Sequence, residues 1–113
     1  MIRGSTPDYI LRFNGYDLTD KRIYITIKQR GKELTKTNED VDISVDTSGQ
    51  TPLSTVAFSL SQQETLALVE GHADIQCKII DSTGHVDPTD IKPLTIGRAL
   101  LERVISYDAN STL

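Results

Sequence analysis

The chain has 113 residues, with 12 Lys and Arg against 16 Asp and Glu, a net charge of −4. That length holds one hydrophobic core, and cations that are scattered except for a local enrichment at Lys28–Lys36 predict no nucleic-acid partner. One cysteine excludes an internal disulfide and a cysteine-based zinc site, and no run reaches the roughly 18 apolar residues of a membrane span.

The opening MIRGSTP carries Gly, Ser, Thr and Pro and predicts an extended lead-in over residues 1–7, too short and polar for an export signal. The chain is therefore expected to fold in a cytoplasm. Tyr9, Leu11 and Phe13 alternate with Ile10 and Arg12, which predicts a strand ending at the Asn14-Gly15 turn. A second strand runs from Arg22 to Arg30, with Ile23, Ile25 and Ile27 on one face and Tyr24, Thr26 and Lys28 on the other. Gly31 turns this strand into a hairpin with a short edge strand, Glu33–Thr37. Val41, Ile43 and Val45 then alternate with Asp42, Ser44 and Asp46, the pattern of a half-solvated sheet.

After the loop TSGQTP, the segment Thr55–Ile80 reads as strand, capped helix, strand. Val56, Phe58 and Leu60 alternate, and Ser61 and Glu64 stand at capping-box spacing. Gly71 is the predicted left-handed stop, so one short helix is expected over residues 61–70. Ile75, Cys77 and Ile79 resume the alternation up to the turn DSTG. Pro88 and Pro93 demote Val86–Ile96 to an edge strand or irregular segment. Gly97–Ile105 is predicted as a helical turn that becomes extended, and 107–113 as a polar C-terminal tail. Seven or eight short strands with regular turns predict an all-β fold: a single antiparallel β-sandwich, immunoglobulin-like, over residues 8–106.

No constellation for catalysis emerges, and the chain is predicted not to be an enzyme. His72 and His85 each lack a second ligand at metal spacing. Cys77 shares the parity of core isoleucines and is expected to pack as a small hydrophobe. The carboxylates Glu39, Asp40, Asp42 and Asp46 do not match a calcium loop, and Ser54, Ser59 and Ser61 lie near no nucleophile elbow. No catalytic residue, metal or cofactor is therefore expected. A sugar-stacking surface needs planar aromatics, and the four tyrosines are spread out, with Tyr24 and Tyr107 the candidate surface contacts.

Four pieces in order, MIRGSTP at 1–7, Ile25–Lys28 followed by Gly31-Lys32, LSQQETL at 60–66 and DIQCKIIDSTG at 74–84, carry a resemblance. Together they resemble a family of small structural proteins of tailed phages and prophages of Gram-positive gut bacteria. Those proteins look like the N-terminal β-sandwich of upper baseplate or tail adaptor proteins. The resemblance covers most of the chain, although GRALLERVI departs from the family's usual ending. It implies a non-enzymatic virion component, made in the host bacterial cytoplasm, present as a homo-oligomer or in many copies among other virion proteins.

The assembly arm that this reading assigns is Ile2, Arg3, Gly4, Ser5, Thr6 and Pro7, acting with sheet edges by strand addition to a neighbour. On this reading, deletion of residues 1–7 leaves a folded monomer that no longer assembles. The rival reading is a carbohydrate-binding or host-adhesion module that uses Tyr24 or Tyr107.

Overall fold

A computed structural model describes residues 1–107, so of the polar tail only Tyr107 lies within the described residues. The alternating segments form β1 (Asp8–Asn14), β2 (Arg22–Gln29), β3 (Lys32–Thr37), β4 (Asp42–Asp46) and β5 (Leu53–Ser59). A 3₁₀ turn over Asn38–Asp40 precedes β4, and the helix α1 (Gln62–Leu66) follows β5. The remaining strands are β6 (Gly71–Ile80), β7 (Val86–Pro88) and β8 (Lys92–Ile96).

The strands pair into two antiparallel sheets. One has the order β1-β5-β4; the other runs β3-β2-β6-β7, with β8 pairing the first half of β6. In immunoglobulin lettering these orders read B-E-D and C′-C-F-G. Among the described residues no strand lies on the outer side of β1, where strand A stands in that order. Pro88 and Pro93 fall on β7 and β8, outer strands in which a missing N–H is tolerated.

Period-2 alternation decides what is buried. Ile23, Ile25 and Ile27 of β2, Val56 and Phe58 of β5, and Ala73, Cys77 and Ile79 of β6 form the core with Leu18, Leu60, Leu68 and Ile96. Each fully buried Ile or Leu contributes about 1.5–3 kcal/mol. Half-buried Tyr9, Leu11, Phe13, Ile43 and Val45 complete it from the smaller sheet.

Two buried polar side chains inside this core tie down loops. Ser54 donates to the Tyr16 carbonyl at 2.6 Å and accepts from the Leu18 N–H at 3.0 Å, fixing the β1–β2 connection. Gln29 occupies the inward position after Ile27 and reaches the segment between α1 and β6. Its Nε2 donates to the Val69 and His72 carbonyls, and its Oε1 accepts from the Val69 N–H.

The helix is shorter than the ten residues that its pattern suggested. The capping box forms as expected, with the Glu64 N–H donating to Ser61 Oγ and the Ser61 N–H donating to Glu64 Oε1. The helix nevertheless ends at Leu66, because the next residues have better partners elsewhere. Leu68 turns into the core, Arg3 binds the Leu66 and Leu68 carbonyls, and Gln29 binds both backbone groups of Val69. Gly71, at φ 129°, therefore opens β6 instead of stopping the helix.

Glu64 adds a charge-dependent element. Burial alone raises its pKa, but the Lys36 ammonium, 2.7 Å away, and the Ser61 N–H outweigh that and hold it below the usual glutamate value. A carboxyl group depressed in the fold stabilises above its unfolded pKa and loses that contribution as pH falls through its folded value. Glu64→Gln is thus expected to melt below wild type at pH 7 and to converge with it at about pH 2, beneath the carboxylate range. Melting curves that keep a constant gap at both pH values would reject this linkage.

Candidate assembly surfaces

The segment expected as an extended assembly arm folds as a clasp on its own domain. Ile2 bridges Gly97 in parallel, with the Arg3 N–H donating to the Gly97 carbonyl and the Gly97 N–H donating to the Met1 carbonyl. A Cβ at Gly97 would lie 3.2 Å from the Ile2 side chain, so any larger residue there would have to displace Ile2 by a few tenths of an ångström. Gly4, at φ 80°, turns the chain over α1.

There the hydroxyl of Thr65, fully buried, accepts from the Gly4 N–H at 2.8 Å and donates to the Ser5 carbonyl at 2.9 Å. The Pro7 carbonyl accepts from the buried Leu60 N–H at 3.1 Å, just before β1 begins. Thr6 sits in this stitched stretch between Ser5 and Pro7. Arg3 is the hub, since its guanidinium also meets the Glu102 carboxylate.

Residues 98–106 form neither helix nor strand, which corrects the helical turn expected in GRALLERVI. Once Gly97 is engaged by the clasp, the chain runs past α1 as a ribbon. Gln62 pins it there, donating from Nε2 to the Ile105 carbonyl at 2.7 Å and accepting the Ile105 N–H at 2.8 Å. The ribbon exposes Leu100 at 91%, Tyr107 at 97%, and Leu101, Val104 and Ile105 at just over half. Its apolar residues therefore do not enter the core.

A second surface is a slot of about 380 Å³ between the sheets, on the side of β1 that bears no strand. Leu11 and Phe13 form one wall and Ile75 and Cys77 the other, with Arg12, Asp90 and Lys92 also at its lining. Thr89 closes it by accepting the Cys77 N–H at 3.0 Å. Burial pushes the Cys77 thiol up to about 11, so at neutral pH it is a protonated packing group.

The remaining candidates are placed separately. Tyr24 stands on the outer face of β2, opposite Lys78 and Thr37 and 41% exposed, and the structure does not pair it with Tyr107. His72 lies on the exposed face of β6. His85 contacts Asp87 at 2.9 Å, and Asp87 accepts from the Tyr16 hydroxyl at 2.8 Å. The Tyr16 hydrogen bond leads the causes that lower the Asp87 pKa, while burial and then Asp87 raise that of Tyr16. The result is a clip between the β1–β2 loop and β7.

Of the acidic group, Asp40 and Asp46 are committed to turns, binding Thr37 and Ser48 respectively, and those hydrogen bonds lower their pKa values. Glu39 and Asp42 do not join them in a cage. No three His, Cys, Asp or Glu side chains converge among the described residues.

Comparison with protein-family models and with curated proteins finds no match. The surfaces themselves therefore carry the functional argument. Sequence reasoning placed residues 2–7 in one functional group but missed what receives them, Thr65, Gly97 and Glu102, and missed Gln62, which holds the ribbon. A threonine at a core-facing helix position was the visible hint, because a buried hydroxyl requires partners.

Proposed function

We propose that this chain is a non-enzymatic structural component of a tailed-phage virion, in the tail, baseplate or a related adaptor, present in multiple copies among other virion proteins. The order of its sequence motifs supports the phage setting. One structural observation carries the assembly role: the apolar ribbon over Leu100–Tyr107, which the N-terminal clasp and Gln62 hold against the domain with its side chains facing solvent. Five large apolar side chains left exposed within eight residues of a small domain mark a contact site.

In this role the clasp is the support for the contact surface, and the sheet edges and ribbon are the surface itself. The protein is made in the bacterial cytoplasm and ends in the particle. Mass spectrometry of gradient-purified particles from the producing strain tests the reading. Peptides of this chain are expected at a fixed ratio to the tail proteins, and their loss from particles on gradient purification would overturn it.

A further inference from the structure

The outer face of the larger sheet carries a groove that the ribbon and clasp do not use. Parity turns Thr26 and Lys28 of β2, and Asp74, Gln76 and Lys78 of β6, away from the core, and register sets them side by side. Glu33 of β3 stands across from Lys28 on its other side. Ile91, 61% exposed in the β7–β8 connection, adds an apolar wall to a concavity of about 320 Å³, at the lower end of the range for small-ligand sites.

The hydrogen-bonding capacity of this groove is largely unspent. The side chains of Lys28, Glu33, Asp74 and Lys78 form no hydrogen bond or ion pair with any described residue, although Lys28 lies directly opposite both carboxylates. Gln76 donates from Nε2 to the Thr89 carbonyl at 2.9 Å, which fixes its amide and leaves Oε1 as an acceptor. The groove therefore offers both donors and acceptors, and its two ammonium groups balance its two carboxylates.

Tyr24 adjoins it. The ring stands two residues from Thr26 on the same face of β2, roughly 7 Å along the strand, and directly across from Lys78. In sequence Tyr24 was a solitary aromatic, but the register gives it polar neighbours on β2, β3 and β6. Exposed at 41%, it is a flat apolar platform beside a polar groove.

We propose that this face binds a neutral saccharide, with one pyranose ring stacked on Tyr24 and the next seating its hydroxyls in the groove. A sugar hydroxyl donates and accepts at once, so it needs neighbours of both kinds, and Lys28 and Lys78 with Asp74 and Gln76 supply them. The C–H face of the sugar is apolar and packs on the Tyr24 ring or on Ile91. Balanced charge selects against nucleic acids and other polyanions, which need a surplus of cations. A protein partner would need an apolar pocket for an anchor side chain, and this lining is polar apart from Ile91. The site goes beyond the assembly role and does not rest on it, since it lies on the sheet face and leaves the ribbon open to other proteins.

Titration of the full chain with lactose, maltose, cellobiose and di-N-acetylchitobiose, read by calorimetry and by backbone amide NMR, tests this. At least one of these sugars is expected to bind saturably and to move the amides of Tyr24–Lys28, Asp74–Lys78 and Ile91 together. Tyr24→Ala and Asp74→Asn, both at exposed positions, are each expected to weaken that binding about tenfold or more, whereas Tyr107→Ala leaves it unchanged. Sialyllactose, which is anionic, is expected to bind no more tightly than the neutral sugar.

Failure of all these neutral sugars to bind, shifts that map to other strands, wild-type affinity in Tyr24→Ala or tighter binding of sialyllactose would each overturn the proposal. Those failures are separate from failure of the virion reading, which is decided by the presence of the chain in purified particles.

Discussion

Deleting residues 1–7 is expected to lower the unfolding free energy by about 2–6 kcal/mol, because two buried polar groups lose their partners at about 1–3 kcal/mol each. The Leu60 N–H loses the Pro7 carbonyl, and the Thr65 hydroxyl loses both Gly4 and Ser5. Arg3 goes too, releasing the Leu66 and Leu68 carbonyls and the Glu102 carboxylate. Urea titration reads the effect as a lower midpoint at nearly unchanged slope. A midpoint equal to that of the full chain would show the clasp to be dispensable.

This outcome differs from what the sequence suggested, which was an intact monomer without its arm. If the deletion also blocks assembly, the cause lies partly in the domain itself. Arg3→Ala separates the effects. It removes the hub without removing the Pro7 and Thr65 hydrogen bonds, so it should loosen the ribbon at a smaller cost in stability.

Phe58→Ala is the second large effect expected, about 3–5 kcal/mol of lost stability. Phe58 is 5% exposed, and its ring stacks on Tyr9, its cross-strand partner, with centroids 5.3 Å apart. Truncation leaves a cavity between the sheets and strips the Tyr9 ring of its neighbour. Tyr24→Ala is the natural control, since that side chain is 41% exposed on the opposite kind of face and should change stability by only about 0.5 kcal/mol. Equal midpoints for the two variants would contradict the assignment of inner and outer faces.

Much of the fold was legible because strands of a half-buried sheet announce themselves by parity. Ile23, Ile25 and Ile27 against Tyr24, Thr26 and Lys28 left one orientation for β2, and the same logic placed Cys77 in the core. The capping box at Ser61 was equally local, needing only residues three apart. The helix end was not local. It is set by Gln29 and Arg3, 40 and 65 residues from the groups they bind, and no window along the chain contains both partners.

The candidate site shows the same division. Residues 2–7 stood out by composition, but their destination depends on Thr65 and Gly97, which look ordinary in sequence. For GRALLERVI, helix-forming side chains were misleading because Gly97 is already bonded to the N-terminal segment and both backbone groups of Ile105 are taken by Gln62. Tertiary partners outweigh propensities that differ by less than about 1 kcal/mol per residue.

The bridge between Ile2 and Gly97 also sets a schedule. Residues 1–7 have no Gly97 to pair with until some ninety further residues are made, roughly 5–20 s at ordinary elongation rates. The sandwich core can collapse earlier, whereas the ribbon is fixed in place only when both distant segments have arrived. An unfinished chain therefore holds its folded strands before the C-terminal ribbon has its anchor.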